Sequence, residues 1–358
     1  MIFHRQGLEQ NPANYQPLTP LSFLTRAAKV WPDHAAIIHG GLRRDYRSFE
    51  QRCRKLASGL QKSGIVKGDT VSVLFANTPA MLEMHYAVPM LGAVLNALNT
   101  RLDAASIAFM LDHAETRLLI VDREFARLAQ EALALSANQP VLMDYDDTEF
   151  PHAPVSASGP QPIMDYENLV DSGDTDFCWS YPADEWDSIA LNYTSGTTGN
   201  PKGVVYSHRG AYLMCFANTL AAAIAPHPVY LWTLPMFHCN GWCFPWTLSA
   251  IGGTHVCLRW VRAKAMFDAI ADHKVTHLCG APIVMSALLA AAPDERRALP
   301  HRVNFITAAA PPPEAVLAAM MEEGFDVTHV YGLTEVYGPA VVNTWKTQWN
   351  DLPRDRQA

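Results

Sequence analysis

Residues 193–203 read YTSGTTGNPKG (Tyr193–Gly203), directly after an apolar run, Ser188–Tyr193 (SIALNY), with the pattern of a strand. The segment holds three glycines, five hydroxyl side chains counting Tyr193, and one lysine, Lys202. Glycine lets backbone N–H groups turn toward a ligand without a Cβ clash. The hydroxyls of Thr194, Ser195, Thr197 and Thr198 suit the non-bridging oxygens of a phosphate, and Lys202 adds a point charge. The spacing is not the G-x-x-x-x-G-K-[ST] phosphate loop. On composition alone the segment reads equally as a phosphate cradle or as a flexible surface linker, because loops are commonly rich in Ser and Gly. The strand before it and the single lysine at its end favour the cradle.

Outward from this loop, strand-like and helical patterns alternate along the chain. Ala35–His39, Thr70–Phe75, Arg117–Val121 and Gln139–Met143 read as strands before it. Val204–Ser207, Val229–Leu234, His255–Leu258, Thr276–Cys279, Val303–Thr307 and Val327–Tyr331 read as strands after it. Helical patterns cover Ser48–Ser63, Pro79–Val94, Ser106–Ala114, His208–Ala223 and the stretch after Pro313. The expected fold class is α/β, two layered lobes of largely parallel sheet flanked by helices. The Pro/Ser/Gly-rich segment Phe150–Ile163 and the acidic stretch Asp184–Asp187 place a lobe boundary at 185/186. The lobes are then 1–185 and 186–343, with 344–358 the start of an unfinished segment.

The chain has 358 residues, a prior of two to three lobes at about 150 residues each. With 49% hydrophobic and 17% charged residues it does not belong among disordered or low-complexity chains. Its net charge of −8 argues against a nucleic-acid binder held by counterion release. An anionic ligand must therefore be held by local donors or a metal. Seven cysteines, irregularly spaced and without a C-x-x-C pair, fit a reduced, cytoplasmic chain rather than a zinc or disulfide framework. The N-terminus lacks the apolar core of a signal peptide, and no apolar stretch reaches the length of a membrane span.

Three further segments carry chemistry-bearing residues. Tyr331–Glu335 (YGLTE) sits at a strand end, where ligands bind in open α/β sheets. Tyr331 can stack on a purine, Thr334 can bond a phosphate, and Glu335 is a hard oxygen ligand suited to Mg²⁺. The bland alternative is a turn with an exposed glutamate, and the phosphate loop tips the balance away from it. Thr307–Pro313 (TAAAPPP) puts small residues after a strand, as a helix entry, a surface for a planar base, or both. His238, in Pro235–Trp242 (PMFHCNGW), is either a packed core histidine or a ligand-facing one. Cys239 and Cys243 lack the further ligands and spacing of a metal site.

YTSGTTGNPKG resembles the phosphate-loop signature of the adenylate-forming superfamily, which includes acyl-CoA synthetases, luciferases and peptide-synthetase adenylation domains. PMFHCNGW and YGLTE agree with it in order and distance, and the resemblance covers the chain from about Leu18 onward. It implies ATP and Mg²⁺, with coenzyme A as second substrate and a small carboxylic acid as the first. By this resemblance Thr194, Ser195, Gly196, Thr197, Thr198, Gly199 and Lys202 hold phosphates. Ala308, Ala309, Ala310, Tyr331 and Gly332 flank adenine, although the family often has glycine at the start of the alanine stretch. Lys202, Thr334, Glu335 and His238 take part in catalysis, with Glu335 on the metal. His238, Trp242, Phe244, Gly280, Ala281 and Pro282 border the acid. PMFHCNGWCFPW together with YGLTEVYGP is similar to the branch handling short- and medium-chain fatty acids, methylthio-propionate ligases included.

The resemblance also implies residues beyond Glu335 that the sequence does not show. These are an aspartate for the ribose, a hinge arginine and a lysine on a small C-terminal domain, and they make this chain an expected incomplete enzyme. Three other readings stay open: an aryl acid as substrate, adenylation of a carrier-bound substrate, and a non-catalytic nucleotide-binding or interaction protein. No nucleic acid is expected as partner, and a homo-oligomer is left open.

Overall fold

The computed structural model describes residues 7–150, 161–194 and 200–357. Among them, strands β1 (Ala35–His39) and β2 (Leu42–Asp45) precede β3 (Thr70–Leu74), β4 (Val94–Ala97), β5 (Thr116–Asp122) and β6 (Val141–Tyr145). Then come β7 (Ser188–Thr194), β8 (Lys202–Ser207), β9 (Val229–Leu231) and β10 (Thr254–Val256). The last are β11 (His277–Gly280), β12 (Val303–Thr307), β13 (Phe325–Leu333) and β14 (Gly338–Val342). They form a six-stranded sheet in the order β6-β5-β3-β4-β7-β8 and an eight-stranded sheet in the order β14-β13-β12-β11-β9-β10-β1-β2. Pairing is parallel except for β8 on β7, β2 on β1 and β14 on β13, all at sheet edges. The α/β class and the largely parallel sheets are therefore as expected.

The lobe division expected at 185/186 does not follow the sheets. β1 and β2 leave the first half to pair with β10, and β7 and β8 leave the second half to pair with β4. Local periodicity tells a strand from a helix, but it does not tell which sheet edge the strand will join.

Apolar faces from both sheets meet around buried helices. One continuous core joins Ile37, Tyr230 and Cys279 of the larger sheet to Val71, Leu95 and Ile120 of the smaller, through Tyr46, Phe49, Met81, Tyr86 and Trp246. The helix Pro79–Met90 is buried at all twelve positions. This explains why its sequence, PAMLEMHYAVPM, shows no polar face. Its one carboxylate, Glu83, is held by Arg44 (2.8 Å), Arg52 (2.7 Å) and the Tyr166 hydroxyl (2.6 Å). The helix stops at Met90, short of the expected Val94, because Gly92 turns the chain at φ +70° and Val94 opens β4. Arg259 locks the sheets at another point. It reaches Asp122 at the end of β5 (2.7 Å), Asp147 (2.6 Å) and Glu124 (2.8 Å).

Several helix starts carry side-chain caps. Asp45 accepts from the Ser48 N–H ahead of the helix Tyr46–Lys62, and Ser207 accepts from the Gly210 N–H ahead of His208–Ala221. No helix among the described residues is long and apolar enough to cross a membrane.

Candidate active site

The β7–β8 hairpin sets Thr194 directly opposite Lys202 and Tyr193 opposite Gly203. Lys202 is exposed and opens β8. Ser195, Gly196, Thr197, Thr198 and Gly199 lie outside the described residues. Behind the hairpin, the Tyr193 hydroxyl shares a hydrogen bond with His113 Nδ1 at 2.8 Å, and burial pushes its phenol up to about 12.

The carboxyl ends of three parallel strands form the facing edge. Register pairs Gly280 of β11 with Thr307 of β12, and Thr307 with His329 of β13. The two segments that leave β11 and β12 there, Ala281–Pro282 and Ala308–Ala310, therefore start side by side, as ligand-binding loops of open sheets do. Gly280 is buried, and a Cβ there would meet Val284 at 3.0 Å and Phe305 at 3.1 Å. Ala308 is half-buried and Ala309 and Ala310 are exposed. Ala309 takes φ +82°, a conformation that favours glycine. The Tyr331 ring is 58% exposed, open for stacking. Gly332 lies at an irregularity of the β13–β14 ladder where the Gly338 carbonyl would sit 1.7 Å from any Cβ. No other residue fits there.

After Leu333 the chain enters a short 3₁₀ turn, Thr334–Val336, and Tyr337 follows at φ +69°. Two bonds seat this turn. The Tyr206 hydroxyl donates to the Thr334 carbonyl at 2.7 Å, and Thr334 Oγ1 lies 3.2 Å from Cys239 Sγ. The Tyr337 ring stacks on Tyr206 at 4.0 Å, and its hydroxyl accepts from the Ser207 N–H at 2.9 Å. Glu335 is exposed beside them.

PMFHCNGW leaves β9, which ends at Leu231 rather than at the expected Leu234. Asn77 holds the exit. Its Nδ2 donates to the Trp232 and Leu234 carbonyls (2.9 and 3.0 Å), and its Oδ1 accepts from the Met236 N–H at 2.8 Å. Cys239, Asn240, Gly241, Trp242 and Cys243 then make a left-handed turn, with φ of 49°, 40°, 53°, 55° and 62°. His238 opens it. Its ring reaches solvent but is crowded by protein on most sides. That loss of water, with the positive charge of Arg101 added, lowers its pKa. Trp242 is buried against Gly338, its carbonyl accepting from Asn218 at 2.8 Å. Phe244 is buried too, stacked on Tyr230 at 4.8 Å, so it belongs to the core rather than to an open pocket wall.

Thr194, Lys202, Thr334, Glu335 and His238 are thus carried by neighbouring elements, linked through Tyr206 and Cys239. Sequence reasoning missed Tyr206, Asn77, Asn192 and Tyr337 as supports. None has a local signal, because each acts on a segment far away in the chain. Among the described residues no group of three or more His, Cys, Asp or Glu could hold a metal ion by itself, and Glu335 is an exposed carboxylate, the kind of hard oxygen donor that Mg²⁺ takes in ones or twos beside phosphate oxygens and water.

The chain is 47% identical over 359 residues to a peroxisomal acetate/butyrate–CoA ligase of Arabidopsis thaliana, 98% of this chain and 63% of that one. It is 46% identical to an acetate–CoA ligase of Humulus lupulus, again covering 98% of this chain and 63% of the relative. A peroxisomal trans-cinnamate:CoA ligase of Petunia hybrida is likewise 46% identical, with 97% and 62% covered. The chain therefore spans a little under two thirds of the length of these relatives. Among solved structures, the inhibitor-bound N-terminal domain of FACL13 from Mycobacterium tuberculosis superposes with a TM-score of 0.78 at 24% identity, over 90% of this chain and 77% of that one. The anthranilate CoA ligase AuaEII with anthranoyl-AMP gives 0.79 at 20% identity, over 93% and 64%. The family model described as AMP-binding enzyme matches residues 24–356, and the chain belongs to that family.

Proposed function

We propose that this chain carries the nucleotide- and acid-binding part of an AMP-forming acyl-CoA ligase acting on a short- or medium-chain fatty acid. The carboxylate oxygen of the acid bonds to the α-phosphorus of ATP, the bond from that phosphorus to the β-phosphate oxygen breaks, and pyrophosphate leaves. The thiol sulfur of coenzyme A then bonds to the acyl carbon, the acyl–phosphate bond breaks, and AMP and the thiol proton are released. One observation carries this reading. The Tyr206–Thr334 and Cys239–Thr334 bonds tie β8 of the phosphate hairpin, the YGLTE turn and the His238 segment to one another, with Thr194 and Lys202 at the far end of the same two strands.

In this reading Thr194 and Lys202 face phosphates, Tyr331 and the Ala308–Ala310 stretch hold adenine, and His238 and the Gly280–Pro282 strand exit border the acid. An anion approaching a polyanion gains most from fixed donors and charge placed in advance. Glu335 would hold Mg²⁺, which when bound neutralises charge building on the leaving pyrophosphate. The relatives' names support a small acid, and the acetate/butyrate–CoA ligase and the cinnamate enzyme span both aliphatic and aryl choices. All seven cysteines are free, which suits a reducing compartment such as the cytoplasm.

The test is carboxylate-dependent exchange of labelled pyrophosphate into ATP over acetate, butyrate, 2-methylpropanoate and cinnamate, beside calorimetric binding of ATP to the same chain. ATP binding is expected, and such acid-dependent exchange as this part of the enzyme supports is expected to be strongest with a short aliphatic acid. Absence of both exchange and ATP binding contradicts the proposal.

A further inference from the structure

Five consecutive residues of the turn Cys239–Cys243 are left-handed, and only Gly241 is free of the Cβ penalty. At about 1–2 kcal/mol for each of the other four, the turn carries strain that only surrounding contacts can hold. Cys239 meets Thr334 and Trp242 packs on Gly338, but the contact that holds the turn's main chain to β7 is a buried pair. The Asn240 N–H donates to Asn192 Oδ1 at 3.0 Å, with Asn192 2% exposed and Asn240 fully buried. Asn192 lies two residues before Thr194 on β7, and Asn240 two residues after His238. The Asn240 side-chain amide nitrogen is engaged elsewhere, donating to His85 Nε2 at 3.2 Å while His85 Nδ1 donates to the Met81 carbonyl at 2.7 Å, and the Asn240 Oδ1 is buried with no hydrogen bond among the described residues. Asn192 Nδ2 is buried and makes no hydrogen bond among the described residues. Only the acceptor half of this side chain is used, and it is used on the turn.

We infer that Asn192 is a positioning residue that couples the acid side of the site to its nucleotide side, by pinning the left-handed turn that carries His238 to the strand that carries Thr194. The inference rests on the proposed acyl-adenylate chemistry. A ligand occupying only the nucleotide side does not depend on the pin. A ligand spanning both sides does, because its acyl end needs His238 and the turn at a fixed distance from Thr194.

The experiment compares two ligands on the whole chain by calorimetry: AMP, and 5′-O-(N-butyrylsulfamoyl)adenosine, a stable mimic of a butyryl-adenylate. Asn192→Leu removes the acceptor at similar volume. Asn192→Asp keeps the acceptor and exchanges the unused Nδ2 for a second carboxyl oxygen in a buried place, so it is read at a pH low enough to keep that carboxyl protonated. Asn240→Gly keeps the backbone donor and eases the φ of 40°. In Asn192→Leu, AMP affinity is expected within twofold of the parent and the mimic at least tenfold weaker, with faster hydrogen exchange at the Asn240 amide. Asn192→Asp and Asn240→Gly are expected to keep the mimic within threefold of the parent. Equal losses for both ligands in Asn192→Leu, or no loss, overturn the inference while the proposed function stands. If Asn192→Leu does not fold, a tenfold loss of the mimic alone in Asn192→Asp or Asn240→Gly overturns it just as well, and its retention in both supports it. A parent chain that binds neither ligand overturns the proposed function, and the coupling with it.

Discussion

The phenol of Tyr206 donates to the main-chain carbonyl of Thr334 at 2.7 Å, joining the end of β8 to a turn 128 residues later. Tyr206→Phe keeps the ring that stacks on Tyr337 and deletes the hydroxyl, which also meets the Cys239 thiol. A net hydrogen bond is worth about 1 kcal/mol. The variant should lose about that much stability in urea unfolding, and ATP should bind it several-fold more weakly because the Thr334–Val336 turn is less well seated. ATP affinity equal to the parent's would show that the bond does not serve the site.

Lys202 and Glu335 are both exposed, so replacing them leaves the core untouched. Loss of one preorganised charge partner commonly costs about 3 kcal/mol in the transition state, roughly a hundredfold in rate. In an enzyme complete to the length of these relatives, Lys202→Ala and Glu335→Gln should each lower acid-dependent pyrophosphate exchange by about that factor. Their unfolding midpoints should stay within about 0.5 kcal/mol of the parent. Unchanged exchange in both removes these two assignments.

Ala309 holds φ +82° in the stretch proposed to flank adenine. Ala309→Gly relieves the left-handed penalty but adds freedom to the unfolded chain, for a net gain of up to about 1 kcal/mol. Thermal unfolding should show a small rise in midpoint, with ATP binding preserved. A fall in midpoint would mean that the methyl group packs more favourably than its strain costs.

Much of this architecture was readable from residues alone, for a physical reason. β1, β3 and β12 are short apolar runs, and their burial on the sheet faces follows from that pattern. The hairpin carrying Thr194 and Lys202, the Tyr331–Glu335 strand end and the small-residue exit after Thr307 were legible as motifs because each is local. The left-handed turn was not. Of its five residues only Gly241 and Asn240 are types that favour positive φ, and the turn is held by Asn192 and Asn218, distant in sequence. Likewise nothing near Ala35 or Ser188 tells which sheet β1 or β7 will join. Long-range pairing decides it.

Four of the five buried histidines among the described residues are kept neutral. Burial pushes His85, His208 and His277 down to about 4 and His255 to about 3, with neighbouring charges secondary. Their unfolded value is near 6.5, so between pH 6.5 and about 4 the unfolded chain binds more protons than the folded one. Their contribution is therefore present above pH 6.5 and is lost as pH falls toward 4. By pH 5.5 each should cost roughly 1 kcal/mol, while ordinary carboxylates remain ionised. Urea midpoints at pH 7.5 and 5.5 should differ clearly, with lower stability in acid. Equal midpoints would contradict the burial of these rings.

Arg259 neutralises Asp122 and Asp147 where both sheets meet. Arg259→Met leaves buried Asp122 without a charged partner and Asp147 with His39 alone, and breaking a buried pair in this way typically costs about 3–5 kcal/mol. Chemical unfolding should register that loss, and a variant as stable as the parent would show that the cluster is not holding the sheets.

The most direct measurement is a crystal structure of this chain with ATP and Mg²⁺. The account predicts a triphosphate against Thr194 and Lys202, the base between Tyr331 and the Ala308–Ala310 stretch, and a metal beside Glu335. Density for the nucleotide on another face, or none at saturating concentration, would contradict it.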